Sequence, residues 1–170
     1  MRYALFVAIV LLAGCRDESA VRAPDPVLMT EEAVSHFCMM SLAEHPGPKA
    51  QIHLEGMAAP IFFAQVRDGI AYLRQPERTT GIAAVYVSNM SRAPSWDAPG
   101  PDNWIAAEDA IFVVGADVTG GMGAPELVPF ETEQAARDFA TLHGGELMRL
   151  PEIPEEAVLG AVEIAAPGGN

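Results

Sequence analysis

The feature that most constrains this chain is a series of short apolar segments that runs twice in the same order. Ala50–Leu54 alternates apolar and polar residues and reads as a strand, and Pro60–Phe63 begins a second strand after the Glu55-Gly56 turn. Gln65–Arg74 carries apolar residues at 66, 70 and 73, which is the spacing of one helix face, and Gly81–Met90 reads as a third strand. Ser91–Asn103 is rich in Pro, Asp and Gly and reads as a connecting loop. The order then returns: a strand at Ala110–Val114, a Gly-rich loop at Gly115–Ala124, a short strand at Glu126–Phe130, a helix at Thr132–His143 with Thr132 as N-cap and Gly144-Gly145 as its stop, and a last strand at Glu146–Leu150. Phe63 and Tyr72 stand nine residues apart across the first strand-to-helix step, and Phe130 and Phe139 repeat that spacing in the second.

The pattern predicts an α+β protein of two similar ββαβ-type units, the first over 30–90 and the second over 91–150. Ahead of the first unit, Thr30 reads as the N-cap of a short helix over Glu31–Met40, with Glu31 and Glu32 in its first turn. The acidic, Pro-bearing stretch 151–170 reads either as a short helix or as a mobile tail. The length, 170 residues, suits one ordinary domain or two very small ones. With 50% apolar and 19% charged residues the chain is neither disordered nor a polytopic membrane protein. A formal charge of −13 repels phosphate backbones and argues against nucleic acid as a partner.

The N-terminus carries a targeting signal. Met1-Arg2-Tyr3 precedes an apolar run from Ala4 to Ala13, far short of the ~20 residues that span a bilayer. Leu12-Ala13-Gly14-Cys15 resembles the bacterial lipobox, which implies removal of residues 1–14 and a lipid on Cys15. Residues 15–29 then read as a lipidated Cys and flexible tether, and Arg16 in the second position implies sorting to the outer membrane, on its periplasmic side.

That assignment leaves Cys38 as the only other thiol, with no second Cys for an internal disulfide. It lies in Ser35-His36-Phe37-Cys38-Met39-Met40, where one thiol and two thioethers fall within three residues. Thiolate and thioether are soft donors that select Cu(I), and no set of four Cys or His is present for structural zinc. Cys38 and Met40, two residues apart, cannot face one ion from an ideal helix, so the helix is expected to end before them. Met122, within Gly120-Gly121-Met122-Gly123, is a candidate distal ligand, because glycines let the backbone bring a thioether to a site formed elsewhere. Met39 and His36 are further candidates. The competing reading makes Phe37, Met39 and Met40 core residues and Cys38 a buried hydrophobe. His36, His45, His53 and His143 show no ligand spacing, and each reads as structural on that ground.

Taken in order, Cys15, Cys38-Met39-Met40, His45-Pro46-Gly47-Pro48-Lys49, Met122-Gly123 and Pro129-Phe130 resemble the NosL family of lipid-anchored copper chaperones, as do Ala84–Ser88, Trp104-Ile105 and His143-Gly144-Gly145. The resemblance covers about residues 30–152 and implies two small ββαβ units. It also implies Cu(I) as cargo, with Cys38 and Met40 at the metal and Met122 as a distal ligand. The acceptor it implies is apo nitrous oxide reductase or its assembly complex. One departure stands out: Met39 occupies a position where the family usually has Gly. No catalytic signature is visible, so an enzyme is not expected. An organomercurial-lyase-like activity needs paired thiols that the processed chain would lack, and a lipid-anchored assembly protein without metal transfer is the alternative.

Overall fold

The computed structural model describes residues 22–162, so the expected signal 1–14, Cys15, the start of the tether and the last eight residues of the tail lie outside the described residues. Four strands, β1 (Ala50–Leu54), β2 (Ile61–Phe63), β3 (Ile82–Ser88) and β4 (Trp104–Ala106), form an antiparallel sheet in the order β2-β1-β3-β4, and helix α1 (Val66–Leu73) connects β2 to β3. The second sheet has the order β6-β5-β7, built from β5 (Ile111–Val114), β6 (Val128–Phe130) and β7 (Glu146–Met148), with α2 (Glu133–His143) between β6 and β7.

The two units are therefore the same α+β arrangement, a central strand flanked by the strands before and after the helix. The correspondence reaches the side chains. Phe63 meets Tyr72 with ring centroids 5.5 Å apart and planes at 47°, and Phe130 meets Phe139 at 5.2 Å and 48°. In each unit a strand-end phenylalanine, paired across from the first residue of the central strand, receives an aromatic from the following helix. Helix α1 buries Val66 and Ile70, while α2 buries Ala136 and is capped by Thr132, whose Oγ1 accepts from the Ala135 N–H at 3.3 Å.

The units share a core: Ala50, Ile52, Phe63, Val66, Ile70 and Val87 of the first pack with Phe112, Val114 and Leu127 of the second. Strand β4 shifts the expected division, because residues assigned to the second unit pair with β3 in the first sheet, Ser88 opposite Trp104.

Two local expectations change, and the open reading of the tail resolves, over its described part, to the short helix. The helix over Glu31–Met40 does not form. Val34 bridges to Ser41 and Ser35 to Phe62, and the His36 N–H donates to the Phe62 carbonyl at 2.7 Å, so the sheet edge takes donors a helix would need. What remains is two separate turns, one closed by the Ala33 N–H on the Thr30 carbonyl at 3.1 Å and one by the Met39 N–H on the Ser35 carbonyl at 2.9 Å, and the second presents Cys38 and Met40 on a loop rather than a helix face.

The tether is fastened to the body over its described part. Gln51 donates to and accepts from the Val27 backbone at 3.0 and 2.9 Å, and the Tyr86 hydroxyl donates to the Pro24 carbonyl at 2.7 Å. The tail's described part also packs: α3 (Glu155–Leu159) buries Val158 against the core, and the Arg67 guanidinium donates to the Val158 and Gly160 carbonyls at 2.9 and 2.6 Å.

Met39 adopts a φ of 57°, the one positive value among the described non-glycine residues. An L-residue in the left-handed region costs roughly 1–2 kcal/mol, which glycine avoids. The glycine that the resemblance implies for this position would avoid that cost. Met39→Gly should raise stability by about 1 kcal/mol in urea unfolding, less the small entropy glycine adds to the unfolded chain. A loss of stability would show that the Met39 side chain contributes packing in spite of its 70% exposure.

Candidate metal site at the seam between the units

Two loops from different units meet at His45. The first is the 35–41 turn, held on the edge of β2. The second is the 119–125 loop, closed by a bridge between Thr119 and Pro125 and by the Gly123 N–H bonded to the Gly120 carbonyl at 2.9 Å. His45 is buried between them. Its Nδ1 lies 2.9 Å from the Gly121 carbonyl oxygen, and its Nε2 lies 4.0 Å from Cys38 Sγ. A carbonyl can only accept, so Nδ1 carries a proton, and in the neutral ring the Nε2 lone pair faces the thiol. A metal-binding imidazole is ordinarily oriented in this way, with its remote N–H fixed by a backbone carbonyl.

The closeness of the two loops depends on glycine at position 121. A Cβ there would stand 2.5 Å from His45 Cβ, 3.0 Å from the Pro46 carbonyl oxygen and 3.1 Å from that of Ala64. Gln65 adds a second tie, accepting from the Met122 N–H at 3.2 Å while its amide nitrogen donates to Asp68 Oδ1 at 2.9 Å. The turn that follows His45 is held by Lys49, whose buried ammonium donates to the Pro46 and Gly47 carbonyls at 3.1 and 2.5 Å. Burial pulls the Lys49 amine down to about 8, with the carboxylate of Glu126 opposing that shift.

Under the second loop lies Glu126, which has no exposed surface to speak of. Its Oε1 accepts from the Arg67 and Leu127 N–H groups at 3.0 and 2.9 Å, so a side chain of the second unit caps α1 of the first, where the N-cap residue Gln65 makes no side-chain cap bond. Its Oε2 is buried beside Gly120 without a partner among the described residues, and burial drives the carboxyl up to about 8.

The sequence-predicted residues distribute as follows. Cys38 is half-buried, whereas Met39, Met40 and Met122 are 70%, 47% and 39% exposed, which does not fit the reading that made Met39 and Met40 core residues. Cys38 and Met40 share one turn, and Met122 follows directly on the glycine that His45 grips. The imidazole at the thiol is His45, which sequence spacing had assigned to a structural role. The His36 ring instead lies in an aromatic cluster, edge-on to Phe63 at 5.7 Å and to Tyr72 at 5.4 Å. No group of three or more His, Cys, Asp or Glu side chains suited to a metal occurs among the described residues, so a metal held here would depend on thioethers. A thiol and an imidazole nitrogen, with thioethers exposed on the same two loops, are soft donors of the kind that suit copper better than harder ions.

The fold is that of a small duplicated α+β protein in which a thiol and an imidazole stand 4.0 Å apart where loops of the two units meet. A sequence profile of the NosL family matches residues 26–158, and the chain belongs to that family. It is 48% identical over 165 residues to the copper-binding lipoprotein NosL of Achromobacter cycloclastes, covering 96% of this chain and 85% of the relative. It is 33% identical over 146 residues to the copper-binding lipoprotein NosL of Stutzerimonas stutzeri, covering 85% and 74%. Among solved structures it matches the copper chaperone NosL from Shewanella denitrificans with a TM-score of 0.72 at 32% identity, over 77% of this chain and 96% of that one. No helix among the described residues is long and apolar enough to cross a membrane.

Proposed function

We propose that this protein is a copper chaperone, anchored by a lipid on Cys15 to the periplasmic face of the outer membrane, that carries one Cu(I) at Cys38 and passes it on for assembly of the copper sites of nitrous oxide reductase. The observation that carries the reading is the meeting of Cys38, His45 and the Met122 loop. Copper is the cargo. The Cys38 thiol gives up its proton to the solvent on binding, His45 supplies Nε2, and Met40 and Met122 close over the ion as thioethers. Names of the relatives support the metal and the anchor. The acceptor, apo reductase or its assembly complex, follows from the family resemblance.

The same geometry suits transfer rather than catalysis. A carrier must release its ion, and exposed thioethers can be displaced one at a time by an acceptor's sulfur while the thiolate still holds. A net charge of −13 favours encounter with a basic partner surface. The test is anaerobic Cu(I) competition against a chromophoric chelator. Wild-type protein should take up one equivalent, and Met40→Ala and Met122→Ala should each weaken it by about tenfold, or 1.4 kcal/mol. Met122→Ala with wild-type affinity would remove that loop from the site.

A further inference from the structure

We infer that the cleft beside the metal site is a binding pocket for a guanidinium group, and that its occupant is an arginine side chain of the protein partner. The second half of that statement rests on the chaperone reading; the first does not. The cleft has a volume of about 630 Å³ and is lined by Met90, Trp96, Asp117, Thr119, Phe139 and His143, among others, with no lysine or arginine in its wall.

Three features of the cleft select a flat cation. Trp96 and Phe139 lie nearly parallel, their planes at 13° and centroids 6.4 Å apart, and the His143 ring continues the series 4.4 Å from Phe139. Aromatic faces attract cations through their quadrupole, and the planar guanidinium also stacks on them. Asp117 supplies a carboxylate that makes no ion pair among the described residues. The eleven-residue α2 ends at His143, bringing the partially negative end of its dipole to the same wall.

Position ties the cleft to the site. Trp96 packs on Gly47, two residues past His45, and its carbonyl accepts from the Gly47 N–H at 2.8 Å. Thr119 bridges to Pro125 at the base of the loop that carries Met122. A side chain seated here would hold its owner next to both metal-bearing loops. A chain of net charge −13 is the right partner for a basic surface that presents such an arginine.

The experiment titrates N-acetyl-arginine amide into uniformly ¹⁵N-labelled protein, with the neutral isostere N-acetyl-citrulline amide as the control. Saturable shifts at the Trp96 indole N–H and the Thr119 amide with the arginine probe, at least fivefold weaker with citrulline and lost in Asp117→Asn, are expected. Equal responses to both probes overturn the proposal, as do the absence of a shift at Trp96 and Thr119 or unsaturable shifts spread over the acidic surface. Trp96→Ala is less informative, since Gly47 packs against the indole, so the exposed Asp117→Asn carries the test. Cu(I) affinity of Asp117→Asn should equal wild type. If Cu(I) binding fails in the wild type while arginine binding holds, the chaperone reading falls and the pocket stands.

Discussion

Cys38→Ala should lower Cu(I) affinity by about a thousandfold or more, equivalent to about 4 kcal/mol, in the anaerobic competition experiment. The thiolate is the only anionic soft donor in the site, and what remains is one imidazole and neutral thioethers. The fold should survive, because Cys38 is half-buried in a turn whose backbone bonds do not involve its side chain. Unchanged far-ultraviolet circular dichroism together with wild-type affinity would displace the site. His45→Ala is the companion measurement. On the proposed site it takes away both Nε2 and the Nδ1–H bond to the Gly121 carbonyl, so it should cost at least the roughly tenfold to hundredfold that losing an orienting contact alone costs. His45→Ala without effect would confine the site to sulfur.

The second large effect concerns stability and pH, and centres on Glu126. Its carboxyl is raised from the usual 4.5 to about 8 by complete burial, against the opposing bonds from the Arg67, Leu127 and Val66 N–H groups. A group whose folded value lies above its unfolded value contributes fully to stability below the unfolded value and loses that contribution as pH rises toward the folded one. Stability should therefore fall between about pH 4.5 and pH 8, by an amount on the order of 5 kcal/mol for this group.

Glu126→Gln keeps an oxygen for the α1 cap and cannot ionise. It should match wild type near pH 5, exceed it near pH 7.5, and flatten that limb of the urea-denaturation profile. Lys49 works in the opposite sense. Its amine is lowered from 10.5 to about 8, so its contribution is complete above 10.5 and is lost as pH falls through 8. The two together place a stability minimum near pH 8. A Glu126→Gln profile parallel to wild type would show that the carboxyl is ionised throughout.

How far the sequence was legible differs by region. Helices α1 and α2 follow from helical spacing and Thr132, because each buries one face, while β5 is legible as a short continuous apolar run, which matches a strand buried throughout. The Phe63–Tyr72 and Phe130–Phe139 spacings were a direct signal of the duplication. The Glu31–Met40 segment misled, since a good N-cap and two acidic residues favour a helix that the open edge of β2 outcompetes for backbone hydrogen bonds. At the site, Cys38, Met40 and Met122 stood out by their chemistry. His45 did not, although it opens the His45-Pro46-Gly47-Pro48-Lys49 stretch that carries the resemblance. Its orientation comes from Gly121, which lies 76 residues away.

The amino-acid sequence by itself determined the class of fold, the soft character of the donor atoms and the family. Those properties are written in local periodicity and in side-chain identity, which need no partner to be read. Tertiary structure alone decided which imidazole faces the thiol, that Met39 occupies a left-handed position suited to glycine, and that a glutamate of one unit caps a helix of the other. Each of these is a contact between segments far apart in the chain, and its energy exists only once the two units share a core.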